Sequence, residues 1–238
     1  MKNIMMNKEM AKATKNKTKT NTRRAVTKYY DITWDGRIID IDSLPGDIKS
    51  EGFHIFEKKC PLFYSEEKDN YYRGDNLKYD VGDKLWIREP VKIDMCFTEE
   101  ICFHYLADNE QDKMTIPKRF IKDGFIVDWM AHCNGVPNGC IKEMARIFVE
   151  ITGVRVEKLQ NITFKDVLKE GIELKNRDDL IKNDMLDLSK TLSSKNLGAV
   201  EIAIKNSFIK LWNSVAPDKF KWKDNRFVVV YDFKKVES

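Results

Sequence analysis

The amino-acid sequence predicts an α+β fold: a small mixed β-barrel with flanking helices and long insertions. Several short strand-like runs are separated by turn residues, and helical patterns lie near both ends of the chain. One long strand-like run, 145–159, is interrupted by Gly153, as at a bulge or a barrel corner. The sequence shows no glycine-rich phosphate loop and no regular alternation of strands and helices, which argues against a doubly wound α/β fold.

Length and composition indicate one soluble globular domain. The chain has 238 residues, 42% of them hydrophobic and 34% charged, and we expect a single domain over 1–238. The segments 38–72, 107–140 and 173–197 are interpreted as insertions. No apolar run approaches the ~20 residues of a membrane span, and the N-terminus lacks the apolar core of a signal peptide. Five irregularly spaced cysteines favour a reducing cytoplasm over a disulfide framework.

Local patterns predict the elements in order. Asn7 caps a short helix that ends at Asn16, with Met6, Met10 and Ala13 along one side. No regular element is predicted over the first insertion. The remaining predicted elements are a strand at 29–34 closed by the turn Asp35-Gly36, a strand within 79–90, a hairpin of 91–97 and 100–106, a short strand at 125–127, the long strand at 145–159, a helix capped at Thr163 and ending at Gly171, helices over 178–192 and 198–215, and a closing strand at 226–236.

The stretch 17–24 contains cations and hydroxyls with no apolar side chain, so it fits neither a helix stripe nor a half-buried strand. Between Lys8 and Lys28 the local charge is +7, whereas the whole chain carries +4. Guanidinium groups match phosphate and carboxylate oxygens, so the stretch suits an anionic or nucleotide-like ligand whose binding weakens as salt rises. The alternative is a solvated basic loop.

Six blocks of sequence together resemble one known family. They follow the family's order and reach from near one terminus to near the other, whereas the segments between them do not match. On these blocks the chain resembles the ASCH-domain proteins of the PUA-like superfamily, and among them a phage-encoded group labelled morphogenetic protein. The blocks are Asn7-x-Glu9-Met10-x-x-Ala13 with Lys19-Thr20-Asn21-Thr22-Arg23-Arg24, Gly82-Asp83-x-Leu85-Trp86-Ile87-Arg88-Glu89, Ile151-x-x-Val154-Arg155-Val156-Glu157-x-Leu159-Gln160-Asn161-Ile162, Glu170-Gly171-Ile172, Phe208-x-x-Leu211-Trp212-Asn213-Ser214, and Trp222-x-x-Asn225 before 228–236.

The resemblance implies a PUA-like β-barrel with a cleft for RNA or a nucleoside, in the host cytoplasm if the protein is phage-encoded. A small bacterial relative of the group is an amidohydrolase that removes the acetyl group of N(4)-acetylcytidine. Its working lysine, threonine and glutamate fall on Lys19, Thr22 and Glu170. In such a reaction Thr22 attacks or positions water, Lys19 accepts its proton, and Glu170 relays the proton to the leaving amine. No cofactor is implied.

The same resemblance suggests which residues bind the ligand. They are Arg23, Arg24, Trp86, Arg88, Lys142 and Arg146. Trp86 either stacks on a base or fills the core. The chain departs from the family at Lys142-Glu143, where an arginine and a tryptophan are expected, and at Arg226-Phe227, where Pro-Trp is expected. These departures affect the expected ligand preference more than the fold.

Two other functions and a metal site remain as alternatives. The chain can be a non-catalytic RNA-binding module in which Glu170 is only a salt-bridge partner, or a phage assembly or host-interaction protein that reuses the fold. The candidate ligands for a zinc site are Cys102, His104, His132, Cys133 and Cys140, but their spacings match no common ligand pattern. We therefore expect ordinary buried thiols and no metal.

Overall fold

The structure is a computed structural model, and it describes residues 1–33, 35, 37–55, 58–96, 99–122, 125–126, 139–172 and 194–237. These residues form a mixed α+β structure made mostly of strands, so the predicted class is confirmed. Each sheet formed by the described residues has an open strand order, and none of them closes into the predicted barrel. No helix in the described part of the chain has the length and apolarity of a membrane span.

The regular elements follow one another closely along the chain. The helices are α1 (Lys8–Lys15), α2 (Phe164–Lys169) and α3 (Ser194–Val215). The strands are β1 (Lys2–Met5), β2 (Asn21–Ala25), β3 (Tyr29–Ile32), β4 (Ile38–Ile41), β5 (Lys49–Ile55), β6 (Lys59–Ser65), β7 (Asn70–Gly74), β8 (Lys84–Arg88), β9 (Val91–Cys96), β10 (Glu100–Tyr105), β11 (Gln111–Thr115), β12 (Ile121–Lys122), β13 (Phe125–Ile126), β14 (Phe148–Lys158) and β15 (Phe227–Val236).

The chain divides into two compact units, which we call unit one and unit two. Unit one comprises Met1–Thr20, Gly82–Ile151 and Phe233–Ser238, and unit two comprises Asn21–Val81 and Thr152–Asp232. One five-stranded sheet has the order β1-β8-β14-β15-β2. In it β1 pairs parallel with β8, whereas β14 pairs antiparallel with β8 and β15 antiparallel with β2. The single domain expected over 1–238 stays a prediction.

In unit one, local signals produced the predicted elements. The side chain of Asn7 accepts a hydrogen bond from the backbone N of Met10 at 2.8 Å, which caps α1 as expected. The predicted hairpin is present as β9 and β10, with β11 added at its edge. The core of unit one consists of Trp86, Val91, Ile93, Ile101, Phe103, Tyr105, Ile116, Cys140 and Met144.

In unit two, the first segment interpreted as an insertion is more regular than its sequence suggested. Residues 38–72 supply β4, β5, β6 and most of β7, which join β3 in a five-stranded sheet of order β4-β3-β7-β6-β5. The strands on the two sides of the predicted turn do form a hairpin, because Tyr29 pairs with Ile41 and Ile32 with Ile38. Charged and turn residues interrupt the alternation of apolar and polar residues in these strands, so the sequence pattern did not predict them. Polar residues of this kind are typical of a sheet with one face exposed to solvent.

The helices of unit two include the predicted capped helix and a longer helix that packs against Val228 and Val230 of β15. Thr163 caps α2 by accepting a hydrogen bond from the backbone N of Asp166, and Gly171 follows the helix with a φ of +76°. Helix α3 buries Ile204, Phe208 and Trp212, whereas Val215 at its end is 52% exposed. The predicted helix over 178–192 lies outside the described residues. The core of unit two consists of Leu159, Ile162, Val167, Ile204, Phe208, Trp212, Val228 and Val230.

Candidate functional site

The basic stretch ends in a regular strand, which corrects the sequence interpretation of residues 21–24. Strand β2 pairs along its whole length with β15, so that Asn21 lies opposite Asp232 and Arg23 opposite Val230. Asn21, Thr22 and Arg23 are all buried, whereas Arg24 is exposed. A strand of this composition is stable here because its cations and hydroxyls meet polar partners inside unit two, which the sequence pattern alone does not reveal.

Arg23 is the centre of a buried ion-pair cluster. Its Nη1 donates to Glu170 at 2.8 Å, and its Nε and Nη2 donate to one oxygen of Glu157 at 3.1 and 2.8 Å. Its Nη2 also lies 3.6 Å from a carboxylate oxygen of Asp166. The side chain of Arg23 is 1% exposed, and that of Glu170 4%. Three carboxylates therefore surround this buried guanidinium, and binding of an external ligand by Arg23 stays a prediction.

A second arginine extends the cluster toward solvent. Arg155 donates to Asp232 at 2.5 Å and to Glu157 at 3.3 Å, and it lies 3.1 Å from Asp166. Burial lowers the pKa of the Arg155 guanidinium, but the three carboxylates outweigh this effect and raise it. Its side chain is 36% exposed, against 1–29% for the other charged members. Arg155 is therefore the most accessible charged member of the cluster.

Asn21 completes the cluster with an amide that has no hydrogen-bond partner. Its side-chain oxygen and nitrogen are both buried, neither meets a donor or acceptor within the described part of the chain, and the residue is 0% exposed. Alternation along β2 places Asn21 on the same face as Arg23. We call Asn21, Arg23, Arg155, Glu157, Asp166, Glu170 and Asp232 the Arg23 cluster.

The three residues predicted to be catalytic have different surroundings. Glu170 belongs to the Arg23 cluster, through its ion pair with Arg23. Thr22 is 3% exposed and, by strand alternation, lies on the opposite face of β2 from Arg23, beside Tyr231. Lys19 is 1% exposed and belongs to unit one, where its backbone N donates to the carbonyl of Ala13 at 3.1 Å. The structure thus joins Arg23 to Glu170 and separates Thr22 from them.

The other predicted ligand-binding residues are scattered. Trp86 is 6% exposed and packs in the core of unit one, so of its two predicted roles the structure supports core packing. The Arg88 guanidinium lies 6.0 Å from the Trp86 ring, and its Nε is buried without an acceptor in the described ranges. Lys142 is exposed. Binding of a ligand by Arg24, Arg88 and Lys142 stays a prediction.

Arg146 forms ion pairs with three carboxylates within unit one, and its ligand-binding role stays a prediction. Its Nε and Nη2 form a bidentate pair with the buried Glu89 at 2.9 and 2.8 Å, and its other contacts reach Asp108 and Glu110. Its guanidinium carbon lies 3.6 Å from the centroid of the Tyr105 ring. Each nitrogen of its guanidinium donates to one of these carboxylates.

The carboxylate of Asp108 gives this network a pH dependence. Burial alone raises the pKa of Asp108, but hydrogen bonds from Arg146 and Lys15 hold it well below its usual range. A lowered carboxyl pKa adds stability above the pKa of the unfolded chain, about 4, and that stability is lost as pH falls below it.

We therefore expect Asp108→Asn to lower the free energy of unfolding at pH 7 by on the order of 1–2 kcal/mol, after allowance for solvent screening. The difference from the parent protein should be constant between pH 6 and 8 and should shrink below about pH 4. Urea unfolding at several pH values measures it. A difference that stays constant down to pH 3 would contradict this account of Asp108.

The described part of the structure does not bring the possible zinc ligands together. His104 Nδ1 lies 2.7 Å from Asp94, and the buried thiol of Cys140 donates to the carbonyl of Ile87 at 3.4 Å. Burial raises the pKa of Cys140 to about 11, so its thiol is protonated at neutral pH. His132 and Cys133 lie outside the described residues, and no group of three potential metal ligands occurs among those the structure describes.

Comparison of the chain with protein-family models, with curated proteins and with solved structures finds no match. The ASCH resemblance therefore stays a prediction made from the six sequence blocks. The assignment of a function depends on the chemistry of the Arg23 cluster and of the other polar groups in each unit.

Five members of the cluster were not predicted as site residues from the sequence: Asn21, Arg155, Glu157, Asp166 and Asp232. A signal for two of them was present, because Arg155 and Glu157 are two apart in a predicted strand and so point to one face. Two opposite charges on that face indicate that it is polar and contacts other charged side chains. The location of the partners on β2 and α2 depends on contacts 134 and 147 residues apart along the chain, which no local pattern reports.

Proposed function

We propose that this chain binds a nucleoside or RNA base at the Arg23 cluster and hydrolyses the amide of an acylated cytidine-like base there. The unpartnered amide of Asn21 is the observation that supports the proposal most strongly. A buried donor or acceptor left unsatisfied costs about 1–3 kcal/mol, so such groups are rare in proteins unless something else uses them. An acylated base offers both a donor and an acceptor to an amide.

The burial of the cluster fits a small ligand that replaces an internal contact. Asn21 has no exposed surface, so a base reaches it only when a neighbouring side chain moves. Arg155 is suited to this movement, because it is the most exposed charged member and it pairs with Asp232, the residue opposite Asn21. In the proposal, Arg155 swings outward and the base takes its place beside Asn21.

Glu170 supplies the proton transfers. Arg23 donates to its carboxylate at 2.8 Å, which fixes the position of this carboxylate before a substrate binds. The carboxylate takes a proton from water as the water oxygen bonds to the acyl carbon. The carbon–nitrogen bond then breaks, its electron pair returns to the base nitrogen, and Glu170 delivers the proton there, so that water and the acylated base become a carboxylic acid and the free base.

Lys19 and Thr22 enter the proposal through the family resemblance. In the amidohydrolase the matching lysine accepts the proton and the matching threonine attacks or positions water; here Glu170 accepts the proton, and Lys19 and Thr22 are retained on the resemblance alone. Both are nearly fully buried in this chain. The resemblance also implies a closed barrel, and this barrel is likewise part of the proposal. The described strands themselves form open sheets.

The test is turnover of N(4)-acetylcytidine by the purified full-length chain, followed by chromatography of cytidine and acetate. We expect conversion by the parent protein and none by Lys19→Ala. Conversion that survives Thr22→Val would remove Thr22 from the proposal and leave Glu170 as its catalytic residue. Absence of conversion by the parent protein would contradict the hydrolytic proposal and favour a binding module.

Replacement of Asn21 should separate stability from binding. In Asn21→Leu an unsatisfied amide is exchanged for an apolar group of similar size, so we expect the free energy of unfolding to rise by about 1 kcal/mol or more. Cytidine binding, measured by titration calorimetry, should be lost. Asn70→Leu is the matched control, because the Asn70 amide does have a partner, the carboxylate of Asp31 at 2.7 Å, and its removal should be destabilising. A stability loss in Asn21→Leu would contradict the account of this amide.

A further inference from the structure

Unit two contains a second polar cavity of about 440 Å³ that lies outside the Arg23 cluster. Its walls come from the segment between β4 and β5, the last residue of β14, and the chain that leads into β15. Glu157 and Lys158 are neighbours in β14, so their side chains point to opposite faces, one to the cluster and the other to this cavity. The residues that line the cavity are Tyr29, Ser43, Leu44, Pro45, Gly46, Ile48, Lys158, Lys219, Asp224, Asn225, Arg226 and Phe227.

The cavity is positively charged. Three cations, Lys158, Lys219 and Arg226, line it together with one acid, Asp224. None of the three cations forms an ion pair with a carboxylate in the described part of the chain, in contrast to Arg23 and Arg146. Lys158 Nζ lies instead 4.9 Å from the centroid of the Phe227 ring, and Arg226 lies 5.9 Å from that of Tyr29 and 5.2 Å from that of Phe220.

The backbone holds two of these cations side by side. The N of Leu159, the residue after Lys158, donates to the carbonyl of Arg226 at 3.0 Å. Asn225 takes a left-handed conformation, with a φ of +41°, and its side-chain oxygen accepts from the N of Gln160 at 2.9 Å. This turn fixes the chain on both sides of the cavity, so that Lys158 and Arg226 are placed before any ligand arrives.

Two buried aromatic side chains line one side of the cavity. Tyr29 and Phe227 are 3% and 5% exposed, and both contact Phe63, with ring centroids 5.9 and 4.6 Å apart. Burial raises the pKa of Tyr29, and the nearby Arg226 opposes this only in part, so the phenol is protonated at neutral pH and able to donate a hydrogen bond. Leu44 and Pro45 supply an apolar wall.

We propose that this cavity binds the phosphate of a nucleotide unit, with its sugar or base against Leu44 and Pro45. Three cations that have no carboxylate partner among the described residues can provide the charge-assisted hydrogen bonds that phosphate oxygens require. The nucleotide can come from a free nucleoside monophosphate or from single-stranded RNA, since both present the same group. The inference does not depend on hydrolysis at the Arg23 cluster.

The test measures binding of fluorescently labelled oligo(C) by anisotropy at several salt concentrations, with unlabelled cytidine monophosphate, cytidine and inorganic phosphate as competitors. We expect Lys158→Gln and Arg226→Gln each to weaken binding roughly tenfold and to reduce the slope of log K against log salt by about 0.7. Lys68→Gln is the matched control, because it removes the same charge from an exposed site of unit two that does not line the cavity.

The competitors identify the source of the phosphate. Displacement of oligo(C) by cytidine monophosphate but not by cytidine supports a free nucleotide, and oligo(C) that only another oligonucleotide displaces supports RNA. Arg226→Lys keeps the charge and should retain most of the binding, which separates charge from packing against Tyr29. The proposal would be overturned if Lys158→Gln and Arg226→Gln bound every probe as strongly as Lys68→Gln does.

Discussion

Replacing Arg23 with alanine should lower the free energy of unfolding by about 3–5 kcal/mol, because it removes the cation that pairs with the buried Glu170 and with Glu157. Glu170 loses its 2.8 Å partner, and Glu157 loses two hydrogen bonds at once. The Arg23 side chain is 1% exposed, so water cannot replace it without opening the core. Urea unfolding followed by far-ultraviolet circular dichroism measures the effect.

Arg24→Ala is the matched control, because it removes the same side chain one residue further along β2, where the strand is exposed. We expect a change within about 0.5 kcal/mol. The double variant Arg23→Ala/Glu170→Gln should recover part of the loss, since neutralising Glu170 removes one of the uncompensated charges. Equal effects of Arg23→Ala and Arg24→Ala would show that the Arg23 cluster does not hold unit two together.

Glu170→Gln should lower the rate of N(4)-acetylcytidine hydrolysis by about 10²–10⁴-fold, the usual contribution of a positioned proton carrier. The amide of glutamine keeps the size of the side chain and can still accept a hydrogen bond from Arg23, but it cannot take a proton from water. The loss should therefore fall on kcat rather than on KM. Steady-state kinetics at neutral pH measure both.

Glu67→Gln provides the control for this substitution, because it neutralises an exposed carboxylate of unit two. It should leave the rate unchanged. Circular dichroism of Glu170→Gln distinguishes a chemical effect from loss of fold. A folded Glu170→Gln variant that works within about threefold of the parent protein would remove Glu170 from the mechanism, since a missing proton carrier costs far more.

The sequence predicted the elements whose signals are local. The cap at Asn7, the turn at Asp35, the cap at Thr163 and the end of α2 before Gly171 all depend on residues within a few positions of one another. The sheet over 38–72 was missed because charged and turn residues interrupt the alternation of apolar and polar residues in its strands. Asn21–Ala25 was not expected to form a strand, because its partner β15 lies about 200 residues further along the chain.

The site was predicted in part. Arg23 and Glu170 were both named, but as a ligand-binding residue and a catalytic acid rather than as partners in an ion pair. The sequence did suggest a salt bridge at Glu170 as one alternative, and the structure shows that pair. Asn21 was not predicted as a site residue, because an asparagine in a polar stretch gives no sign that it will be buried.

The amide of Asn21 is the most direct reporter of the proposed base site. In a ¹H–¹⁵N spectrum its side-chain NH₂ signals can be assigned by their loss in Asn21→Leu. On titration of Glu170→Gln, which should bind without turnover, with N(4)-acetylcytidine, we predict that these signals move downfield and saturate as a new hydrogen bond forms. Signals that stay in place at a ligand concentration that saturates the protein would contradict the assignment of the Arg23 cluster as the site of base binding.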